Sequence, residues 1–306
     1  MTNPAEALDR LQIVDAHQHF WNLQQNYYPW LCDAEQIPFR YGDYSILRQT
    51  YLPADFRRDA GPIQVVKTVH IEAEWDPKDP VGETRWISGI AAAHGLPSAC
   101  VAQAWLDRDD VAEVLAAQAE FPLVRGIRHK PRAAASPAEA KRGAEGSMDD
   151  PRWRKGYALL EQHKMSFDLQ TPWWHFDAAA ELARDFPRTQ IIINHTGLPS
   201  DRSAEGLAGW RRGLEQVAAQ PNVALKISGL GRKGLPWTVE ANGPVIRDAI
   251  AIFGTDRCMF ASNYPVDKLA GAYTDIFAGF AAAVADRPAE DRRKLFHDNA
   301  VRIYRL

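Results

Sequence analysis

The 306-residue chain is poor in cysteine, with only Cys32, Cys100 and Cys258, widely scattered. An odd and dispersed set excludes a disulfide framework and a cysteine-based zinc site, and Cys100 and Cys258, each inside an apolar run, read as buried thiols. Positive charge is not in excess either. With 36 Lys and Arg against 39 Asp and Glu, the formal charge is −3, and the basic footprint of a nucleic-acid binder is missing. No apolar run approaches the roughly 18 residues of a membrane span, and the polar start MTNPAEALDR is unlike a secretory signal. No membrane partner is therefore expected, and a cytoplasmic location is the default.

What is present begins with Ile13-Val14-Asp15-Ala16-His17-Gln18-His19. β-Favouring residues run into His17 and His19, and side chains two apart on a strand share a face, so both imidazoles can converge on one point. Neutral imidazole is the commonest zinc ligand, and a catalytic site needs about three protein ligands and an open position. H-x-H alone is short enough to arise by chance, so the remaining groups must be sought elsewhere.

Residues 20–62 form a long segment without a stable period, containing Trp21, Tyr27, Tyr28, Trp30, Phe39, Tyr41, Tyr44 and Tyr51. A loop of this length is expected to be a lid or pocket wall, or packing across the mouth of the fold. Ten Trp exceed what a core needs, and Trp30, Trp75, Trp105, Trp173 and Trp174 are candidate walls of a flat, partly apolar pocket.

From Val65 the punctuation is regular. Strands are expected at residues 65–71, 99–105, 123–128, 166–169, 190–194, 223–227 and 258–261, alternating with helices at 81–94, 109–120, from 149 or 150, 177–185, 206–220, 244–253, 272–285 and 288–304. With the first strand this makes eight βα units and no Gly-rich phosphate fingerprint. The pattern predicts an α/β fold, one (β/α)8 TIM barrel over residues 1–306 with the aromatic-rich loop after strand 1, rather than a doubly wound sheet. A barrel of this kind carries its chemistry at the C-terminal ends of its strands.

Those ends hold His17 and His19; His70 and Glu72; Gln103 and Trp105; Arg125, Arg128 and His129; Asp168 and Gln170; Asn194 and His195; Lys226 and Ser228; and Ser262 and Asn263. Six of the eight units end in a charged or imidazole side chain, where packing alone would place apolar groups. Each also has a structural reading. Arg125 or Arg128 could simply pair with Asp168, one of the two must face the helix layer, and Lys226 could be a structural partner of Asp168.

With these residues the chain resembles the amidohydrolase superfamily, and within it the branch containing sugar-acid lactonases and 2-pyrone-4,6-dicarboxylate lactonase. The resemblance runs from IVDAHQHFW through VRGIRH and INHTG to FASNYPVDK and NAVRIY. It implies a metal at His17 and His19 with His195 facing the same centre, zinc being the expected ion. It also implies that Arg125, Arg128 or His129, with His70 as a further mouth candidate, grips a substrate carboxylate or ring oxygens.

One departure matters. The usual pattern ends strand 8 in an Asp that binds metal and moves the proton of the hydrolytic water, whereas this chain has Ser262-Asn263-Tyr264-Pro265. An amide cannot act as a general base. Three repairs are open: three histidines holding zinc alone, Glu72 or Asp168 taking the base role, or a metal-free site in which His195 is the base. Asp267 is expected off the axis.

The reaction expected is hydrolysis of a lactone of a carboxylated or polyhydroxylated small molecule, with Lys226 or an arginine stabilising the oxyanion. The alternatives are decarboxylation of an unsaturated or aromatic acid, and a non-catalytic ligand-binding barrel that lost activity with the Asp. A small-molecule substrate is the only partner the sequence calls for, and a homodimer is left open.

Overall fold

The structure is a computed structural model that describes residues 11–306, so the MTNPAEALDR start lies outside the described residues. Eight strands form one parallel sheet: β1 Ile13–Gln18, β2 Val65–Ile71, β3 Ala99–Gln103, β4 Val124–Arg128, β5 Ser166–Leu169, β6 Ile191–Ile193, β7 Val223–Ile227 and β8 Cys258–Phe260. They are ordered β1 to β8 in sequence order, the arrangement of a nearly closed α/β barrel. β6 is Ile-Ile-Ile and wholly buried, as a strand covered on both faces should be.

Closure depends on a polar seam. Beyond the last paired residues, Asn263 N donates to His17 O (2.8 Å) and His19 N to Tyr264 O (2.8 Å). The Asp15 carboxylate stitches the same gap, accepting from Ser262 N (2.9 Å), Ser262 Oγ (2.6 Å), Tyr273 OH (3.1 Å) and His17 N (3.3 Å). Burial pushes its carboxyl up to about 6, even though all four hydrogen bonds pull the other way. An Asp15→Ala variant strands these buried donors at about 1–3 kcal/mol each. A fall in melting temperature of roughly 10 °C or more is expected, measurable by calorimetry.

The α-helices of five residues or more are α1 Pro53–Ala60, α2 Gly82–His94, α3 Val111–Ala119, α4 Pro151–Ala158, α5 Phe176–Asp185, α6 Ala204–Ala218, α7 Val239–Phe253, α8 Tyr273–Ala283, α9 Ala289–Arg293 and α10 Asn299–Tyr304. α2 stops at Gly95 in the left-handed region, and α4 is capped by Asp150, whose side chain accepts from Arg152 N. Two expectations shift. α7 starts at Val239, where the Thr238 side chain accepts from Ala241 N, so Pro244 lies inside the helix instead of opening it. The long segment after β1 contains α1, which Pro53 and the Asp55 carboxylate, accepting from Leu52 N, set up in a stretch without an obvious period. Cys100 and Cys258 are buried free thiols.

Alternate residues of the strands fill the barrel with small and branched groups, among them Ala16, Val69, Val101, Ile192, Ala224 and Met259, and Ile303 and Tyr304 of α10 pack against them. From this apolar layer a chain of polar contacts climbs toward the mouth. Tyr304 OH meets both Asp168 oxygens (3.0 and 3.1 Å), Asp168 is paired with Lys226, and Lys226 Nζ lies 3.5 Å from His17 Nδ1.

Candidate active site

His17 and His19 leave β1 where its register against β2 is irregular, and they do converge: their Nε2 atoms are 3.2 Å apart. His19 Nδ1 lies 2.7 Å from Ile71 O, which places its ring proton there and leaves the Nε2 lone pair facing inward. His195 follows β6, its ring 4.6 Å from that of His17 between centroids, with Nδ1 3.1 Å from Ser228 Oγ. His195, Thr196, Gly197 and Leu198 all have positive φ, an uncommon run for non-glycine residues and a local cost of the order of 1–3 kcal/mol each for His195, Thr196 and Leu198. Gly229 gives His195 its room, since a Cβ there would stand 2.7 Å from the His195 side chain.

Asn263, also at positive φ (58°), closes the floor. Its Nδ2 donates to Asp267 Oδ1 at 2.6 Å, which turns Oδ1 toward His19 Nε2, 3.4 Å away. Asp267 is buried, accepts from Tyr41 OH (2.9 Å) and has Arg40 at 3.8 Å. Burial pushes its carboxyl up. Asp267 is not among the cavity-lining residues, yet it fixes which end of the Asn263 amide faces the site. A carboxylate at position 263 would face the Asp267 carboxylate, and like charges so close disfavour one another.

Whether these residues suit a divalent ion can be judged from their spacing. Zinc bonds of about 2.0–2.1 Å in a tetrahedron put neighbouring ligands roughly 3.3 Å apart, close to the 3.2 Å and 3.4 Å seen between His17 Nε2, His19 Nε2 and Asn263 Oδ1. The spacing of His19 Nε2 to each of the other two atoms fits a neutral donor set. Among the described residues no three His, Cys, Asp or Glu side chains group to hold a metal by themselves, and Asn263 Oδ1 is a further oxygen donor 3.4 Å from His19 Nε2.

A cavity of about 330 Å³ opens above this floor, with His19, His195, Asn263, Arg128 and Gln170 on its inner side and Trp21, Trp30, Phe39 and Arg40 from the long segment on the other. That segment is both pocket wall and packing: Phe20, Tyr28 and Tyr44 are fully buried. Arg40, Glu74 and Lys130 line the cavity and were not anticipated. Lys130 stands two residues after Arg128, so period-2 alternation could have found it. Arg40 lies in an aperiodic stretch that offered no signal.

The other expected site residues divide. Arg128 reaches the cavity, tied to the Glu72 carboxylate and to Gln170 Oε1 (3.3 Å). Glu72 is only 4% exposed and its second oxygen accepts from Glu74 N (2.7 Å), so both of its oxygens already accept a hydrogen bond. Asp168 and Lys226 are paired with each other at 0% exposure and lie beneath the floor, outside the cavity. His70 does not face the mouth. It is fully buried toward the helix layer, Nε2 on Glu83 (3.1 Å) and Nδ1 accepting from Phe20 N (3.2 Å), because Val69 and Ile71 take the inward positions of β2. Arg125 opens β4 at the opposite end of the barrel and donates to Arg305 O (3.3 Å). Trp173 is displaced outward, lying over Gly209 of α6. His129, Trp75 and Trp105 line a second cavity of about 410 Å³.

Burial holds His17, His19 and His195 well below the usual imidazole value, with nearby cations, Lys226 for His17, Arg128 for His19 and Arg40 for His195, adding to the effect. All three are neutral near pH 7. Burial also lowers Lys226 to about 8, against the raising effect of Asp168.

Comparison with known proteins follows this geometry. A family model described as Amidohydrolase matches residues 14–306. The uncharacterised protein y4mH of Sinorhizobium fredii is 41% identical over 296 residues, covering 97% of this chain and 99% of its own. An L-fucono-1,5-lactonase of Burkholderia ambifaria is 28% identical over 303 residues, covering 96% and 95%. A crystal structure of an amidohydrolase from Burkholderia multivorans with bound zinc superposes with a TM-score of 0.77 at 24% identity, covering 96% and 99% of the two chains, a likeness of fold. No helix among the described residues is long and apolar enough to cross a membrane.

Proposed function

The chain belongs to the Amidohydrolase family, and from that membership we propose that it is a hydrolase that opens the ring ester of a lactone carried by a carboxylated or polyhydroxylated small molecule. The observation that carries this reading is the pairing, in one cavity, of two neutral imidazoles, His19 and His195, with three basic side chains, Arg40, Arg128 and Lys130, of which Arg128 is ion-paired with Glu72 and Lys130 with Glu74. The likeness to lactonases supports it.

Lactone hydrolysis forms a bond from a water oxygen to the ring carbonyl carbon, breaks the bond to the ring oxygen and delivers a proton there. In the proposed mechanism His195 takes the proton from the attacking water and returns it to the leaving ring oxygen. Its Nδ1 contact with Ser228 holds the ring in position. The Asn263 carbonyl oxygen, aimed inward by Asp267, accepts a hydrogen bond and orients the water. Arg40 keeps donors unused by its long 3.8 Å contact with Asp267 and meets the developing oxyanion, while Arg128 and Lys130 steer a substrate carboxylate. Asp168 and Glu72, each buried and paired with a cation, support the scaffold, and Lys226 acts from beneath the floor, not on substrate. A divalent ion held by His17, His19 and Asn263 would supply Lewis-acid polarisation.

The pH profile tests this assignment. A base must be neutral to accept a proton, and burial lowers the His195 value. kcat/KM is therefore expected to stay flat as pH falls from about 7 through the ordinary imidazole value near 6.5 and to drop only well below it. An acid limb centred near 6.5 or above would remove His195 from the role. Release of carbon dioxide from aromatic or unsaturated acids without lactone opening would favour the decarboxylase reading.

A further inference from the structure

The second cavity touches the first along a shared wall of Trp30, Ile37, Glu74, Arg128 and Lys130. At about 410 Å³ it is no smaller than the cavity above the histidines, at about 330 Å³. We propose that it is a subsite for a pyranosyl group, so that the preferred substrate is an aldonolactone carrying a second sugar ring. The inference rests on the lactonase reading for what happens in the first cavity, and on its own observations for what occupies the second.

Three indoles, Trp30, Trp75 and Trp105, line this space and supply apolar surface for the C–H side of a sugar ring. Gln103 lines it too. It is 2% exposed, its Nε2 reaches Trp75 O only at 3.4 Å, and its Oε1 has no hydrogen-bond partner, a buried acceptor that a ligand donor would satisfy. His129 supplies the complement. Its Nδ1 accepts from both Leu106 N (3.1 Å) and Trp153 Nε1 (3.0 Å), so the proton of the neutral ring sits on Nε2. Burial lowers this imidazole to about 4, which keeps it neutral. One unmet acceptor and one fixed donor beside apolar faces match hydroxyls, which donate and accept, on a ring with an apolar side. An unsubstituted aryl group would leave both polar groups unmet.

The test compares kcat/KM for the delta-lactone of gluconic acid with that of cellobionic acid, in the unaltered protein and in Gln103→Leu and Trp105→Ala variants. The disaccharide lactone is expected to be preferred by about tenfold or more, and each variant to reduce that ratio by about tenfold, the loss of one hydrogen bond or stacked ring. Equal rates for the two lactones in the unaltered protein, or a preference that survives both variants, overturns the subsite. If neither lactone opens, the lactonase reading fails by itself. Calorimetric binding of cellobionic against gluconic acid then decides the subsite: tighter binding of the disaccharide acid supports it, and equal or weaker binding overturns it.

Discussion

Replacing His195 by asparagine is expected to lower kcat/KM for lactone opening by about 10³-fold, within the range that a positioned general base contributes. Asparagine is chosen because position 195 has a φ of 52°, a region asparagine adopts more readily than most residues, so the fold should survive. The melting temperature should move little. If His195 only packed against Ser228 and Gly229, the loss would fall on stability and leave kcat near its original value. Steady-state kinetics beside a thermal scan separates the two outcomes.

The second large effect is on stability. A Lys226→Met variant leaves Asp168 buried at 0% exposure with a negative charge and only the Tyr304 and Asn194 donors around it. Breaking a buried pair from one side costs about 3–5 kcal/mol, and a corresponding fall in the urea midpoint is expected. The double variant Lys226→Met with Asp168→Asn removes the stranded charge and should recover most of the loss. Equal destabilisation of single and double variants would show that lysine packing, not the ion pair, holds the layer.

These two residues also show where sequence reading succeeds and where it stops. Strand order and the alternation of strands with helices follow from periodicity and capping, which are local, and the barrel was legible from them. His17, His19, His195 and Asn263 were legible because they terminate strands. Direction along a short strand end was not. Lys226 and Asp168 point inward one step too deep to reach the cavity, and His70 points outward because the irregular β1 edge and the inward Val69 and Ile71 decide its face. Arg125 stands at the wrong end of a five-residue strand, a matter of two or three residues of register. Arg40 and its contact with Asp267 depend on a long loop folding back over the mouth, a tertiary event with no local signature, whereas the Asp267 contact to Asn263 spans only four residues. Asn263 after β8 reads in sequence as a missing base; beside Asp267 it is an oriented amide.

The central claim is attack of water on a lactone carbonyl at the His195 floor. Turnover of a panel of aldonolactones and pyrone or muconate lactones in heavy-oxygen water, followed by mass spectrometry of the product, tests it most directly. The expected result is one labelled oxygen in the new carboxylate, at a rate that the His195→Asn variant loses. Label in the alcohol oxygen, or ring opening undiminished in that variant, would contradict it.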